Sequence, residues 1–266
     1  MTMSCATVGS IAAQAADVPD AAVAATGSSL PSRIEDGNIL HCFDWKYSDI
    51  LAELPNIAAA GFTSVQTSPA QTPTSTGAWY WMYQPRGFSV ATSPAPLGSR
   101  SELASLCTAA DAYGIKVIVD VVANHLTDTT NLIQDGLSAS EYWHNSSQIS
   151  NYNDRNDVIN GRVGMRDLNT ANTTVQAKVR AYLADLKSLG VDGIRWDAAK
   201  HIGLPSEGDD FWPNVLDSDM YNYGEIFGDP GGNNTSIINQ YAAMMGVSDT
   251  GYSGEIMGHV RDNSVY

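Results

Sequence analysis

From residue 38 onward, short apolar runs alternate with segments of helical periodicity, and this order limits the fold more than any other feature of the sequence. A strand followed by a helix, repeated along the chain, is typical of a parallel sheet or barrel. The run IKVIVDVV is apolar almost throughout, as expected for a parallel strand that is covered on both faces. Strands are predicted at 38–45, 63–69, 115–122, 191–198, 221–227 and near Val247, and helices at 47–61, 99–114, 173–190 and 235–245.

Two of the predicted helices carry distinct end or break signals. The helix at 99–114 opens with a capping box, Ser99 and Glu102, and stops at Gly114. The helix at 47–61 contains Pro55, which should kink it or split it because proline lacks the N–H that continues the helix.

Residues 123–170 interrupt the alternation. They are rich in Asn, Asp and Ser without sustained periodicity, whereas a loop between a strand and a helix usually takes about two to six residues. This long insertion after the third strand favours a (β/α)8 barrel over a doubly wound sheet, and no strand is followed by the Gly-rich loop of nucleotide-binding folds. We therefore predict a barrel of the α/β class that stops after about six βα units, with its first part at 37–122, an inserted subdomain at 123–170 and an incomplete second part at 171–266.

The N-terminal residues 1–36 lack this alternation. The stretch MTMSCATVGSIAAQAAD is small and apolar, and AQA at 13–15 followed by Ala16 resembles a signal-peptidase site, although no basic residue precedes it. We interpret this segment as the remnant of a secretory signal followed by a linker, which predicts a secreted protein. A disordered Ala-rich leader is the alternative. No window of the sequence is apolar over the length that spans a membrane.

The charge of the chain excludes some partners. A formal net charge of -15 and a pI near 4.4 argue against nucleic acid or an anionic membrane, and fit a neutral or cationic ligand or a bound metal. We expect a monomer. The three cysteines form no metal-type cluster, and Cys42 and Cys107 are expected to be buried free thiols because they lie in a strand-like and a helix-like run.

Polar residues lie at the C-terminal ends of the predicted strands, and in a barrel these ends line the active site. The third strand ends in DVVANH, which contributes Asp120, Asn124 and His125. The fourth strand ends at Asp197, and Arg195 shares its face of the strand because it lies two residues earlier. A single acid at a strand end is usually a cap or an ion-pair partner. Several such polar residues at successive strand ends are much less often a coincidence.

The fifth predicted strand ends at Glu225, so that Asp197 and Glu225 can face one cleft. Such a pair suits cleavage of a glycosidic bond, in which one carboxylate attacks the sugar carbon and the other protonates the departing oxygen. Arg195 would keep Asp197 ionised as the nucleophile. A drier setting beside a negative charge would raise the pKa of Glu225 for its role as the acid.

The segment WYWMYQP at 79–85 places four aromatic residues in five positions after the second strand. If they are buried, these rings are ordinary packing. If they are exposed in a cleft, they offer flat apolar faces that stack on pyranose rings. The composition of the segment leaves both interpretations open.

The segments DVVANH, GIRWDAAKH and YGEIF, in this order, closely resemble conserved segments of the α-amylase family of glycoside hydrolases, and WYWMYQP resembles that family's sugar-binding loop. The resemblance covers nearly all of 38–266, is closest to secreted bacterial members, and implies endo-acting, retaining cleavage of α-1,4-glucans such as starch. It implies Asp197 as the nucleophile and Glu225 as the general acid/base. Further contacts with the substrate are implied for Tyr80, Tyr83, Gln84, His125, Arg195, Lys200 and His201.

The same resemblance implies a structural Ca²⁺ ion that ties the inserted subdomain to the barrel. Its ligands would be Asn124, Asp167 and the main-chain carbonyls of Ile159 and His201, an oxygen set that suits a hard cation. Because His201 would act through its main chain, a zinc site built on the histidine rings is disfavoured.

One element of the family pattern has no counterpart here. The family uses a third acid, an Asp that follows a His at the end of the seventh strand, and no such segment occurs before Tyr266. The sequence is therefore expected to be part of a longer protein. Residues 1–266 alone are expected to hydrolyse starch little or not at all.

Other functions stay open at this point. A related maltogenic or transglycosylating enzyme would differ mainly in loops that the motifs do not distinguish. A glucan-binding protein without catalytic activity would keep the aromatic segment. A metal-dependent barrel hydrolase that uses His125, His201 and Asp197 is the least favoured.

Overall fold

The computed structural model describes residues 31–144, 147–227 and 235–248. Its helices and strands follow the predicted order. In chain order they are β1 (Ile39–Cys42), α1 (Tyr47–Ala59), β2 (Ser64–Thr67), β3 (Gln71–Pro73), β4 (Pro85–Val90), α2 (Arg100–Ala112), β5 (Lys116–Val122), β6 (His125–Leu126), α3 (Arg155–Asn160), β7 (Arg166–Asp167), α4 (Thr173–Ser188), β8 (Gly193–Asp197), α5 (Phe211–Val215), β9 (Tyr221–Gly224), α6 (Thr235–Ala242) and β10 (Gly246–Val247).

Six of these strands form one parallel sheet in the order β1-β2-β5-β8-β9-β10. Among these six strands, neighbours in the sheet are also successive along the chain, so the sheet winds in one direction. A doubly wound sheet would reverse its order part of the way across. The winding is that of a (β/α)8 barrel, which confirms the predicted fold class.

The core lies where the helices cover this sheet. In α4 the buried residues Val175, Val179, Leu183 and Leu186 follow helical spacing and form one apolar stripe. From Val117 onward β5 is buried on both faces, as its unbroken apolar sequence predicts. Removing a side chain of this size from water stabilises the fold by about 1.5–3 kcal/mol.

The two helix signals have different outcomes. The capping box is confirmed, since the Ser99 Oγ accepts from the Glu102 N–H at 3.2 Å and the Ser99 N–H donates to Glu102 Oε2 at 2.7 Å. The expected split at Pro55 is wrong, because α1 continues through it, and the alternative of a kink stays a prediction. Both Pro55 and Leu51 lie on the exposed side of α1, so the carbonyl of Leu51 that loses its partner can bond to water.

The insertion at 123–170 contains α3 and the antiparallel pair β6–β7, and the domain boundaries given above stay predictions. The pairing places His125 opposite Asp167 and thereby brings the two ends of the insertion together. A second antiparallel pair, β3–β4, carries the aromatic segment between its strands; this hairpin was not predicted.

Other expectations are tested only within the described ranges. Cys42 and Cys107 are buried free thiols there, as predicted, whereas Cys5, the proposed signal remnant and most of the linker lie outside these ranges. Among the described helices, none is both long enough and apolar enough to cross a membrane.

Candidate active site

The carboxyl ends of the central strands open on a cleft of about 650 Å³. Adjacent parallel strands end on the same side of a sheet, and the register sets Arg195 of β8 opposite Asp120 of β5. Asp197 ends β8, and Glu225 directly follows β9. The structure therefore brings together the two carboxylates that the sequence singled out, and it adds Asp120 behind them.

One guanidinium group contacts all three carboxyl groups. Arg195 Nη1 lies 2.8 Å from both carboxylate oxygens of Asp120 and 2.8 Å from Asp197 Oδ1. Arg195 Nη2 lies 2.6 Å from Glu225 Oε1. The planar fork of arginine can serve several acceptors at once, which a lysine cannot do with the same geometry. Arg195 thus contacts both Asp197 and Glu225, whereas the sequence predicted a role for it beside Asp197 alone.

Burial dominates the protonation equilibria of this cluster. Asp120 is fully buried, and the side chain of Asp197 is 13% exposed. Burial raises the pKa of both carboxyls above the ordinary aspartate value, and Arg195 lowers it by less. Arg195 acts in the expected direction on Asp197, but desolvation outweighs it. An ionised Asp197 therefore depends on the guanidinium.

Glu225 is held from two sides. Arg195 binds one carboxylate oxygen, and the N–H of Ala198 donates to the other at 3.0 Å. Ala198 directly follows Asp197 and has a φ of 51°, in the left-handed region. Such a conformation costs a non-glycine residue about 1 kcal/mol or more and persists only where surrounding contacts enforce it. The turn after β8 thus links the two candidate catalytic carboxylates.

Exposed aromatic rings line part of the cleft. Trp79 is 51% exposed and Tyr80 is 44% exposed. Phe43, at the end of β1, lies 5.4 Å from the Trp79 ring and 6.3 Å from the Tyr83 ring. The question that the composition of 79–85 left open is therefore decided in favour of exposure for Trp79 and Tyr80, whereas Trp81 and Tyr83 are half-buried. Gln84 lines the same cleft.

Tyr83 and His125 reach the cleft but also bond within the protein. The Tyr83 hydroxyl donates to Asp120 Oδ2 at 2.9 Å. His125 Nε2 lies 3.0 Å from the Tyr83 carbonyl oxygen. Burial lowers the pKa of His125, so its ring is neutral at pH 7. Tyr83 and His125, which the resemblance implies as contacts of the sugar, thus also make hydrogen bonds within the protein.

Lys200 and His201 line the cleft from the turn after β8. Lys200 Nζ donates to the Phe227 carbonyl at 3.2 Å and lies 5.4 Å from the centre of the Tyr152 ring. His201 Nδ1 lies 3.0 Å from the Val158 carbonyl in α3, and burial lowers the pKa of His201 to about 4. The neutral His201 ring therefore fastens this turn to the inserted segment.

Two of the predicted calcium ligands, Asn124 and Asp167, are buried where the insertion meets the barrel. Asp167 Oδ2 lies 2.6 Å from His144 Nδ1, whereas the buried Oδ1 has no hydrogen-bond partner among the described residues. A buried carboxylate oxygen without a partner is costly, and a cation would satisfy it. These residues therefore fit a calcium ion.

The other two predicted ligands, Ile159 and His201, lie on elements that pack against each other. Ile159 lies in α3, which packs against the turn that contains His201. Within the described ranges, no three His, Cys, Asp or Glu side chains are grouped so that they could hold a metal. A cation at this junction would therefore draw on amide and main-chain oxygens in addition to Asp167.

The cleft residues that were not singled out from the sequence include His41, Phe43, Tyr152 and Phe227. The signal for the first two was available, because β1 also ends on the cleft and the segment HCFDW follows its apolar start. Asp120 was noted without a role, although an acid inside an apolar run indicates a buried charge. Tyr152 lies in the irregular insertion, where no local pattern indicates its position.

Comparison with known proteins gives a consistent result. A family model described as the catalytic domain of alpha amylase matches residues 30–264. An α-amylase of Clostridium acetobutylicum is 36% identical over 261 residues, which covers 89% of this chain and 33% of the relative. An α-amylase of Streptomyces violaceus is 35% identical over 208 residues, which covers 72% of this chain and 36% of the relative. The chain thus spans about a third of the length of these relatives.

Solved structures agree on the fold. The wild-type α-amylase I of Eisenia fetida has a TM-score of 0.73 at 23% identity, covering 90% of this chain and 53% of that chain. An α-amylase of Geobacillus thermoleovorans, complexed with acarbose, has a TM-score of 0.68 at 22% identity and covers 83% of this chain and 53% of that chain. At such identities the likeness establishes the fold alone. Because the family model covers residues 30–264, nearly the whole sequence, this chain belongs to the α-amylase family.

Proposed function

We propose that this site cleaves α-1,4-glucosidic bonds in starch and related glucans, within the chain and with retention at the anomeric carbon. The observation that supports this most is that Asp197 and Glu225 bond to the same guanidinium group, at 2.8 Å and 2.6 Å, at the base of an aromatic-lined cleft. A shared partner keeps the two carboxyl groups close, and retaining glycosidases need a separation of only about 5 Å.

In the first step, the Asp197 carboxylate attacks the anomeric carbon while Glu225 donates a proton to the departing glycosidic oxygen. In the second step, Glu225 takes a proton from water, which attacks the glycosyl ester and releases Asp197. Arg195 opposes the protonation of Asp197 that burial favours.

The remaining cleft residues would bind the glucan. The exposed ring of Tyr80 and the half-buried ring of Tyr83 would stack on sugar rings, and Gln84 and His125 would bond sugar hydroxyls. Lys200 and His201 would contact the leaving-group side. Two structural neighbours are crystallised with maltohexaose and with acarbose, which supports an oligosaccharide ligand here. Secretion and a monomeric state stay predictions.

Covalent trapping tests this function by a single displacement at an activated sugar, so it does not depend on the starch hydrolysis that residues 1–266 alone are expected to lack. A 5-fluoro α-maltosyl fluoride should glycosylate Asp197, since the carboxylate displaces fluoride and the resulting ester hydrolyses slowly. Mass spectrometry of the digested protein should find one added glycosyl group on the peptide that contains Asp197. The matched β-linked cellobiosyl reagent should add none. The absence of any label, or a label on another residue, would refute the proposal.

Product analysis separates the related activities. An endo-acting hydrolase should release mixed short oligosaccharides from maltoheptaose or starch. One dominant product indicates a maltogenic enzyme, and longer products indicate a transglycosylating one. Saturable binding of maltoheptaose without labelling of Asp197 would favour a glucan-binding protein.

We also propose that Asn124, Asp167 and the main-chain carbonyls of Ile159 and His201 hold a structural calcium ion. Removing calcium with a chelator is then expected to lower the midpoint of thermal unfolding by about 5–10 °C, the shift that corresponds to a ligand near 100 times its Kd. Asp167→Asn should abolish this calcium-dependent shift. Asp192→Asn, at an acid that pairs with Lys116, should retain it. Equal midpoints with and without calcium in the unchanged protein would contradict this assignment.

A further inference from the structure

Arg155 lies in α3, and its largely buried guanidinium joins segments that are remote in sequence. Its Nε and Nη2 atoms bond the two carboxylate oxygens of Glu207 at 2.7 Å and 2.8 Å. Nη2 also donates to the Tyr241 hydroxyl of α6 at 2.7 Å, and Nη1 donates to the carbonyl of Lys200. One side chain of the insertion therefore binds both α6 and the segment that follows β8.

The partners of Arg155 hold the same segment through its main chain. The Tyr241 hydroxyl donates to the Ile202 carbonyl at 2.5 Å, and Glu207 Oε2 accepts from the Leu204 N–H at 2.9 Å. Tyr241 is fully buried, so this hydroxyl has no solvent to replace these partners. The main chain from 200 to 204 is thus fixed by a buried polar network, which is costly to break in part.

The residue that holds Glu225 lies two positions before this segment. The N–H of Ala198 bonds Glu225, and the His201 N–H donates back to the Ala198 carbonyl at 2.9 Å, which closes a 3-10 turn around Lys200. A displacement of the Lys200 carbonyl would be transmitted through this short turn to Ala198. Catalytic geometry tolerates only about 0.5 Å of such displacement.

We propose that Arg155 is a positioning residue for the reaction. By holding the main chain at Lys200, it keeps the N–H of Ala198 directed at Glu225 and so places the carboxyl group that protonates the leaving group. This inference rests on the function proposed above. Arg155 is not among the residues that line the cleft, so its effect is indirect.

The inference predicts a loss of rate that depends on the leaving group. Arg155→Lys retains the charge but cannot bond Glu207, Tyr241 and the Lys200 carbonyl together. Single-turnover cleavage of maltopentaose, whose leaving group is a sugar hydroxyl, should slow by about 100-fold, the size of a general-acid effect. Single-turnover release of fluoride from α-maltotriosyl fluoride, which needs little proton donation, should change by less than about threefold. Both rates are measured with excess protein in calcium-containing buffer.

Arg162 provides the matched control. It lies in the same insertion and bonds both carboxylate oxygens of Asp128, at 2.6 Å and 2.5 Å. Arg162→Lys should leave both rates unchanged. If Arg155→Lys does not fold, Tyr241→Phe removes only the hydroxyl that joins Arg155 to the Ile202 carbonyl, and it should give a smaller loss with the same substrate dependence.

Equal losses on the two substrates would overturn the inference, because they would indicate general damage to the site. Unchanged rates on both substrates would also overturn it. Failure of the unchanged protein to process either substrate would count against the proposed function, and amide hydrogen exchange would then decide the role of Arg155. Exchange at Ala198 should be about tenfold faster or more in Arg155→Lys and unchanged in Arg162→Lys. Unchanged exchange in both variants would overturn the inference.

Discussion

Replacing Asp197 by asparagine is expected to slow single-turnover processing of both maltopentaose and α-maltotriosyl fluoride by about 10⁴-fold or more. The nucleophile is needed whatever group departs. Replacing Glu225 by glutamine should instead slow maltopentaose by about 10³-fold and fluoride release by less than about fivefold, since fluoride departs without a proton. The two acids are thus distinguished by substrate and not only by the size of the loss.

Conversion of maltopentaose and release of fluoride measure these rates, and Glu141→Gln, at an exposed acid of the insertion outside the cleft, is the control. Both substrates should react with this control at the unchanged rate. Equal slowing of both substrates in Glu225→Gln would mean that this residue is not the proton donor. Normal fluoride release in Asp197→Asn would mean that another group attacks the sugar.

Replacing Arg195 by methionine is expected to lower the free energy of unfolding by about 3–5 kcal/mol at pH 7, the usual cost of removing one partner from a buried ionic cluster. Three carboxyl groups would lose their common cation, and Asp120 among them has no exposure to water. Urea unfolding followed by tryptophan fluorescence measures the loss.

The loss should be smaller at pH 5 than at pH 7. Burial already raises the folded-state pKa of Asp120 and Asp197 above the unfolded value, and without the guanidinium these pKa values rise further. Over the range between the unfolded and folded pKa values, the folded state binds more protons than the unfolded state, so stability falls as the pH rises. A variant that is equally destabilised at both pH values would show that lost packing, and not uncompensated charge, is the cause.

Lys187 is the control for charge removal at the surface. It pairs with Asp217 and Asp219 at 2.8 Å and 3.0 Å, but its side chain is 40% exposed. Water replaces such partners readily, so Lys187→Met should change the urea midpoint little at either pH. If Lys187→Met destabilised the protein as much as Arg195→Met, burial of the charges would not be the reason for the effect of Arg195→Met.

Much of the architecture could be read from local patterns. The apolar run of β5 and the helical spacing of α4 are properties of neighbouring residues, and both elements form where they were predicted. Pro55 misled the prediction because its cost depends on whether the carbonyl it displaces faces the core or water. Whether the rings of Trp79 and Tyr80 were exposed depended in the same way on what packs around the β3–β4 hairpin.

The sequence by itself determined which acids reach the cleft, because strand order and strand ends place Asp197 and Glu225 on one edge of a parallel sheet. Only the tertiary structure decided which charges meet there. Strand register brings Asp120 to Arg195, and the turn at Ala198 brings a main-chain N–H to Glu225. Periodicity is a property of neighbouring residues, whereas ion pairing and desolvation depend on distance and burial, which the whole fold sets.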